Sequence, residues 1–244
     1  VALFTGCTGK ILDGNTLAAG IKALTHLGYS VTIPSGQGCC GIQHQHSGLP
    51  SEARKLALNN LNSFQTDQLD AIISIASGCG AQLMEYKNLT QLNQQQRQQA
   101  ELFSSKMREI TQFITTIDWP TDVRLKPLNK TVAVHIPCSQ QYILHHQNTT
   151  HSLLERIPQL TVVSLPDNQH CCGAGGDYML RHPDIADSLI KPKLDTLEQL
   201  KPDIIASANI GCALHFMSAL KKKGVAIEVV HPITLLARQM ADRQ

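Results

Sequence analysis

Short apolar runs alternate with amphipathic stretches along this 244-residue chain. Residues 1–5 (VALFT) form an apolar run with the pattern of a strand buried on both faces. Leu17, Ile21 and Leu24 then recur at helical spacing, and Gly28 is placed to end that helix. "YSVTIP" (29–34) predicts a second strand and "DAIISIA" (70–76) a third; between them Ser51 is placed to cap a helix with Ala53, Ala57, Leu61 and Phe64 on one face. Strands at 131–136, 160–165 and 203–208 follow, with helices around 148–157, from about 184 and from 213. The second half then adds a strand at 225–230 and a closing helix from 233, and Pro192 is expected to kink or split the helix before it. Phe103, Met107, Ile110, Ile114 and Ile117 make a continuous helical stripe over 100–117; one apolar helical face ordinarily turns into the core. Strands alternating with helices predict an α/β fold with mostly parallel, open sheets.

The cysteines give this alternation a period. They fall at Cys7, Cys39, Cys40 and Cys79, and again at Cys138, Cys171, Cys172 and Cys212, each recurring 131 to 133 residues later. The flanks recur in the same order: VALFTGC with VAVHIPC, QGCCG with QHCCG, and LDAIISIASGC with PDIIASANIGC. The chain is therefore read as a duplicated Rossmann-like unit, with repeats at 1–125 and 126–244. Every cysteine follows the C-terminal end of an expected strand, the edge at which open parallel sheets bind ligands. Adjacent residues on an extended strand point to opposite faces, so two neighbouring thiols can reach one centre only if the chain turns sharply. Gly41 and Gly173 are placed to allow that turn, which makes them part of the expected binding site.

Composition changes the picture in two respects. A net charge of +2 gives no footprint for nucleic acid, and no stretch approaches the roughly 20 apolar residues of a membrane span. Lys221, Lys222 and Lys223 before Gly224 fit the last turn of a helix. Eight cysteines in a chain with this much core, and with no export signal, point to metal or redox chemistry in preference to disulfide staples. The chain opens without Met, directly in a strand-like run, as expected of a piece of a longer protein.

Four thiols per half match the ligand set of a [4Fe–4S] cluster, and equally a tetrahedral zinc site. The short C-x2-4-C knuckles usual for zinc do not occur. Histidines compete as ligands: His44 and His46 follow the first pair, His135 precedes Cys138, His170 precedes Cys171, and His215 lies three after Cys212, a common ligand spacing. Hydrogen-bonding roles are the plainer expectation for most of them. Asp177, the nearest carboxylate to a cysteine loop, is expected to cap the following helix. The chain carries no G-x-S-x-G, P-loop or dinucleotide fingerprint, so electron transfer is favoured over bond-making chemistry and no catalytic residue is assigned.

The doubled single–pair–single pattern resembles the CCG cysteine-rich domain family, over essentially the whole chain. Within it, "GCCGIQHQHSG" (38–48), "ASGCGAQL" (76–83) and "HCCGAGGDYML" (170–180) look most like the C-terminal half of glycolate-oxidising iron–sulfur subunits. The resemblance implies an iron–sulfur electron-transfer subunit of a flavin-linked 2-hydroxy-acid dehydrogenase. Such a subunit would bind one or two [4Fe–4S] clusters through the eight cysteines, with zinc as the alternative. It further implies an FAD-containing partner subunit, a ferredoxin-type N-terminal module missing from this chain, electrons passing toward a quinone, and a location in the cytoplasm or at the inner face of the membrane through the complex. Lactate-utilisation and heterodisulfide reductase-type members are the alternatives inside the family. The latter use a fifth thiol, where this chain has Gln82 and His215. A module of another class, with structural zinc or empty sites and docking through the 100–117 stripe, is the remaining alternative.

Overall fold

A computed structural model describes residues 1–241. The first half runs β1 (Ala2–Phe4), α1 (Cys7–Leu12), α2 (Gly14–His26), α3 (Ile42–His46), α4 (Pro50–Ser63), β2 (Ile72–Ser74), α5 (Ser77–Met84), α6 (Gln94–Lys106), β3 (Met107–Glu109) and α7 (Ile110–Thr116). The second runs β4 (Lys130–His135), α8 (Thr149–Leu154), β5 (Leu160–Ser164), α9 (Tyr178–Arg181), α10 (Pro183–Leu200), β6 (Ile204–Ser207), α11 (Ile210–Lys223), β7 (Glu228–Val230) and α12 (Pro232–Gln239). The strands form two separate sheets in the orders β1-β2-β3 and β5-β4-β6-β7, and every ladder is parallel. The α/β class, the parallel sheets and the duplication are as expected.

Strand alternation divides the core. Leu3 and Ile73, with Val132, Val134 and Ile204, point into one cluster that runs through both halves and takes in helices α2, α7, α8 and α12. Ala2, Phe4 and Ile72 point the other way into an outer cluster with Cys40, while Ala133 and Ile205 do so with Cys172 and Cys212. Polar bonds tie the halves together at the sheet ends. The Ser77 amide donates to the Ala208 carbonyl (2.9 Å), the Ser77 and Ser139 hydroxyls pair at 2.9 Å, and His231 Nε2 meets the Ile75 carbonyl at 3.0 Å. No helix among the described residues is long and apolar enough to cross a membrane.

Several local expectations are corrected. The 100–117 stripe is not one helix: β3 interrupts it, pairing beside β2 in the register Ser74 to Glu109. Phe103, Met107, Ile110 and Ile114 are all buried, so the stripe is core and offers no docking face. β3 and α7 are the counterparts of β7 and α12, and the strand and helix read as additions to the second half belong to both. Of 29–34 only Thr32 pairs, by a single bridge to Ala2. Helix α4 starts from Leu49 with Pro50 in its first turn, whose fixed φ suits that position, and Ser51 makes no cap. Helix α10 runs through Pro192 unbroken, because the proline lies on the exposed face where the carbonyl it leaves unpaired meets water. Asp177 precedes α9 without capping it and pairs with Arg181 at 3.4 Å. The three lysines do end α11 before Gly224 in the left-handed region.

Candidate metal centres

The eight cysteines are free thiols at the C-terminal edges of the two sheets. Cys7 and Cys138 directly follow the turns after β1 and β4, Cys79 and Cys212 sit in the first turns of α5 and α11, and the vicinal pairs lie in loops. In each half the sulfurs form a chain of contacts. Cys7 is within electrostatic reach of Cys39 and Cys39 of Cys40, and Cys40 Sγ lies 3.4 Å from Cys79 Sγ. Cys138 is likewise within electrostatic reach of Cys171, Cys171 of Cys172, and Cys172 of Cys212.

Two devices aim the vicinal pairs. Gly41 (φ +88°) and Gly173 (φ +84°) make the turn, and each amide donates back to the first sulfur of its pair, Cys39 at 3.4 Å and Cys171 at 3.3 Å. Both glycines press on a helix backbone: an added Cβ would meet the carbonyl oxygen of Ala53 at 3.1 Å or of Ala186 at 2.7 Å. The second device is an amide latch. Gln37 Oε1 accepts from the Thr5 amide (2.8 Å) and Nε2 donates to the Leu3 carbonyl (3.1 Å), while Asn168 accepts from the Ile136 amide (3.0 Å) and donates to the Val134 carbonyl (3.0 Å). These residues do the same work in the two halves, each fastening a cysteine loop to the end of the first strand of its half, β1 or β4. Neither was singled out from the sequence, where the match of QGCCG with QHCCG sets Gln37 against Gln169, one residue beyond Asn168.

The electrostatics favour thiolate in one place. Hydrogen bonds from Cys138 and Cys172 hold the Cys171 thiol well below its ordinary range. Cys138, bonded to Cys171 and partly buried, is pushed up, as is Cys172 by Cys171, Cys212 and burial. Bonding to Cys40, then burial, likewise raises Cys39, and burial raises Cys7. A cation or cluster relieves this competition, since thiolate is the ligating form.

The histidines divide. His135 is buried beneath the second quartet, with Nδ1 3.0 Å from Ser207 Oγ and its ring edge-on to Phe216. Burial, then the Lys193 ammonium, holds its pKa down to about 3. One of its ring nitrogens joins Cys172 and Cys212 Sγ in a trio of donor atoms all within 4.8 Å of one another. His215, one turn beyond Cys212, turns instead to Asp187 (3.6 Å), and its Nδ1 is buried without a hydrogen-bond partner. His170 is exposed and faces Asp167 at 3.9 Å, and His44 and His46 lie on α3. Lys193 was not foreseen at all. It is 1% exposed and donates to the Asp167 carbonyl at 2.7 Å, within electrostatic reach of Cys172, Cys171 and Cys212.

Fold and site together define a duplicated α/β protein that gathers four thiols at the binding edge of each parallel sheet. The model of the CCG cysteine-rich domain matches residues 1–84 and 132–217, and the chain belongs to that family. Lactate utilization protein A of an Exiguobacterium species is 31% identical over 232 residues, spanning 95% of this chain and 94% of the relative. The glycolate oxidase iron-sulfur subunit of Escherichia coli is 33% identical over 229 residues, spanning 90% of this chain and 54% of that protein. Among solved structures, glutamate racemase RacE1 of Bacillus anthracis superposes with a TM-score of 0.39 at 11% identity, over 97% of this chain and 77% of that one, a likeness too weak to bear on function.

Proposed function

We propose that the chain is an iron–sulfur electron-transfer subunit of a flavin-linked 2-hydroxy-acid dehydrogenase, with lactate and glycolate as the substrate class of the complex. Cys7, Cys39, Cys40 and Cys79 ligate one cluster and Cys138, Cys171, Cys172 and Cys212 the other, one in each of the repeats 1–125 and 126–244. An FAD-containing partner oxidises the hydroxy acid, and this subunit relays the electrons toward a quinone, working from the cytoplasm or the inner face of the membrane. Gly41 and Gly173 serve as the cradles that present the paired thiolates.

The observation that carries this reading is the disposition of the sulfurs. A tetrahedral zinc site with Zn–S near 2.3 Å needs its sulfurs ~3.8 Å apart. Among the described residues, neither quartet has three sulfurs mutually within 4.8 Å, and the only trio that close includes His135. Four thiols strung over a wider arc suit a polynuclear cluster, which supplies one-electron storage once bound. The two arcs open on one joint: the Gln43 side chain beside Cys39–Cys40 lies against Gly176 beside Cys171–Cys172, and Gly78 next to Cys79 faces Asn209. Adjacent centres suit a relay.

The test is metal and sulfide analysis with a visible spectrum on anaerobically purified protein. About four irons per site, with broad absorption near ~400 nm, are expected. Stoichiometric zinc with no visible band would contradict the reading.

A further inference from the structure

The β1–β2 and β4–β6 ladders correspond residue for residue, so residues beside the sulfurs can be compared between the halves. Phe4 pairs with Ser74 across β1–β2, and His135 pairs with Ser207 across β4–β6, which makes Phe4 and His135 equivalent. Ala53 and Ala186 take the same glycine contact, and seven residues further along those helices stand Asn60 and Lys193. At both places the first half is neutral: Phe4 is a hydrocarbon, and the Asn60 amide donates to the Cys39 carbonyl and the Tyr86 hydroxyl, away from the sulfurs. In the second half both places carry N–H donors, and one is a buried cation.

We propose that the two centres hold electrons unequally, the second at the higher potential, and that His135 and Lys193 set the difference. The proposal rests on reading both quartets as iron–sulfur ligands. Reduction adds one negative charge to a cluster and its thiolates. A cation within electrostatic reach, and a ring N–H directed at a sulfur, stabilise the reduced state more than the oxidised one and raise the potential. His135 Nδ1 pairs with Ser207 Oγ at 3.0 Å, and the proposal requires the tautomer in which the hydroxyl donates to Nδ1 and the ring proton sits on Nε2. The Lys193 ammonium is anchored on the Asp167 carbonyl, so its charge cannot swing out to water. The backbone donors to the first sulfur of each pair, from Gly41 and Gly173, are alike in length and cancel in the comparison. Electrons therefore enter at the first centre, or equilibrate through it, and rest on the second.

The experiment is a redox titration of the anaerobically purified full chain followed by low-temperature electron paramagnetic resonance, each signal being assigned with Cys40→Ser and Cys172→Ser. The second centre is expected to reduce first. His135→Phe and Lys193→Asn give the second half the residues of the first. Each should move the second centre to lower potential and leave the first in place, and the double variant should bring the two together. Equal potentials in the wild type, or a first centre above the second, overturn the proposal whether or not the variants fold. So does a second centre that keeps its potential in variants that retain their iron. A protein without iron would overturn the electron-transfer reading itself, a result told apart at once by metal analysis.

Discussion

Gln37 and Asn168 make the same bonds to the first strands of the two halves, whereas Phe4 and His135 share a place in the repeat and do not. The comparison separates two layers of the molecule. Everything that shapes the cysteine loop has been kept in both halves: the amide latch, the left-handed glycine, the helix backbone packed against it. The side chains around the sulfurs have diverged, with Asn60 opposite Lys193 as well as Phe4 opposite His135. Duplication thus preserved the container and varied the electrostatics, which is how one scaffold can hold two centres of different character. A third pair has diverged at the joint. Glu109 and His231 both cap the helix that follows their strand, the carboxylate accepting from the Thr111 and Gln112 amides and the imidazole from the Ile233 amide.

That third pair gives the largest expected effects. Burial raises the Glu109 carboxyl from 4.5 to about 7. The folded protein then binds this proton more tightly than the unfolded chain, so stability is full below pH 4.5 and is lost as pH rises toward about 7, by about 3 kcal/mol in all. Burial lowers His231 from 6.5 to about 4, so its contribution is full above pH 6.5 and is lost as pH falls toward about 4, again by about 3 kcal/mol. The two contributions oppose each other between about pH 4.5 and 6.5, so in denaturant midpoints measured from pH 4 to 8 Glu109→Gln should uncover the rise with pH that His231 supplies, and His231→Gln the fall that Glu109 supplies. A pH profile that neither substitution changes would break the pairing of the two caps.

Next come the glycines. Alanine at Gly173 must adopt a left-handed φ and crowd the Ala186 carbonyl, while at Gly41 the same strain meets a looser contact with Ala53. Both should destabilise by roughly 2 kcal/mol, Gly173→Ala the more, and each should lower iron content in its own half alone. Smaller effects are expected at the latch. Gln37→Ala strips partners from the Thr5 amide and from the Leu3 and Pro34 carbonyls, and Asn168→Ala from the Ile136 amide and Val134 carbonyl. Losses of about 1 kcal/mol follow from leaving such groups unpaired, with Gln37→Ala the larger, read as shifts in thermal midpoint.

Much of this architecture could be read from residues alone, for a physical reason. Buried parallel strands such as ALF in β1 and IIAS in β6 are unbroken apolar runs, and cysteines at strand ends recur at intervals that survive any drift in the loops. The errors arose where two structures share one pattern. Phe103, Met107, Ile110 and Ile114 have helical spacing, yet three residues of strand at Met107–Glu109 cross it, because an edge position beside β2 outweighs local periodicity. The 29–34 segment alternates like a strand but pairs only at Thr32. Lys193 escaped notice because a lysine within a charged helix reads as exposed; only packing against the second cysteine loop buries it. The signal that would have found it, and His135, is the repeat itself: a polar residue in one copy where the other has a hydrocarbon or a neutral amide.

The central claim is that each half gathers its own four thiols around its own cluster. Iron counting on anaerobically purified Cys40→Ser and Cys172→Ser, beside the wild type, tests this most directly. Each substitution is expected to remove about half the iron and one of two resonance signals, a different one in each case. Loss of all iron from either variant would mean a single shared centre, and an unchanged iron content would mean that these thiols hold none.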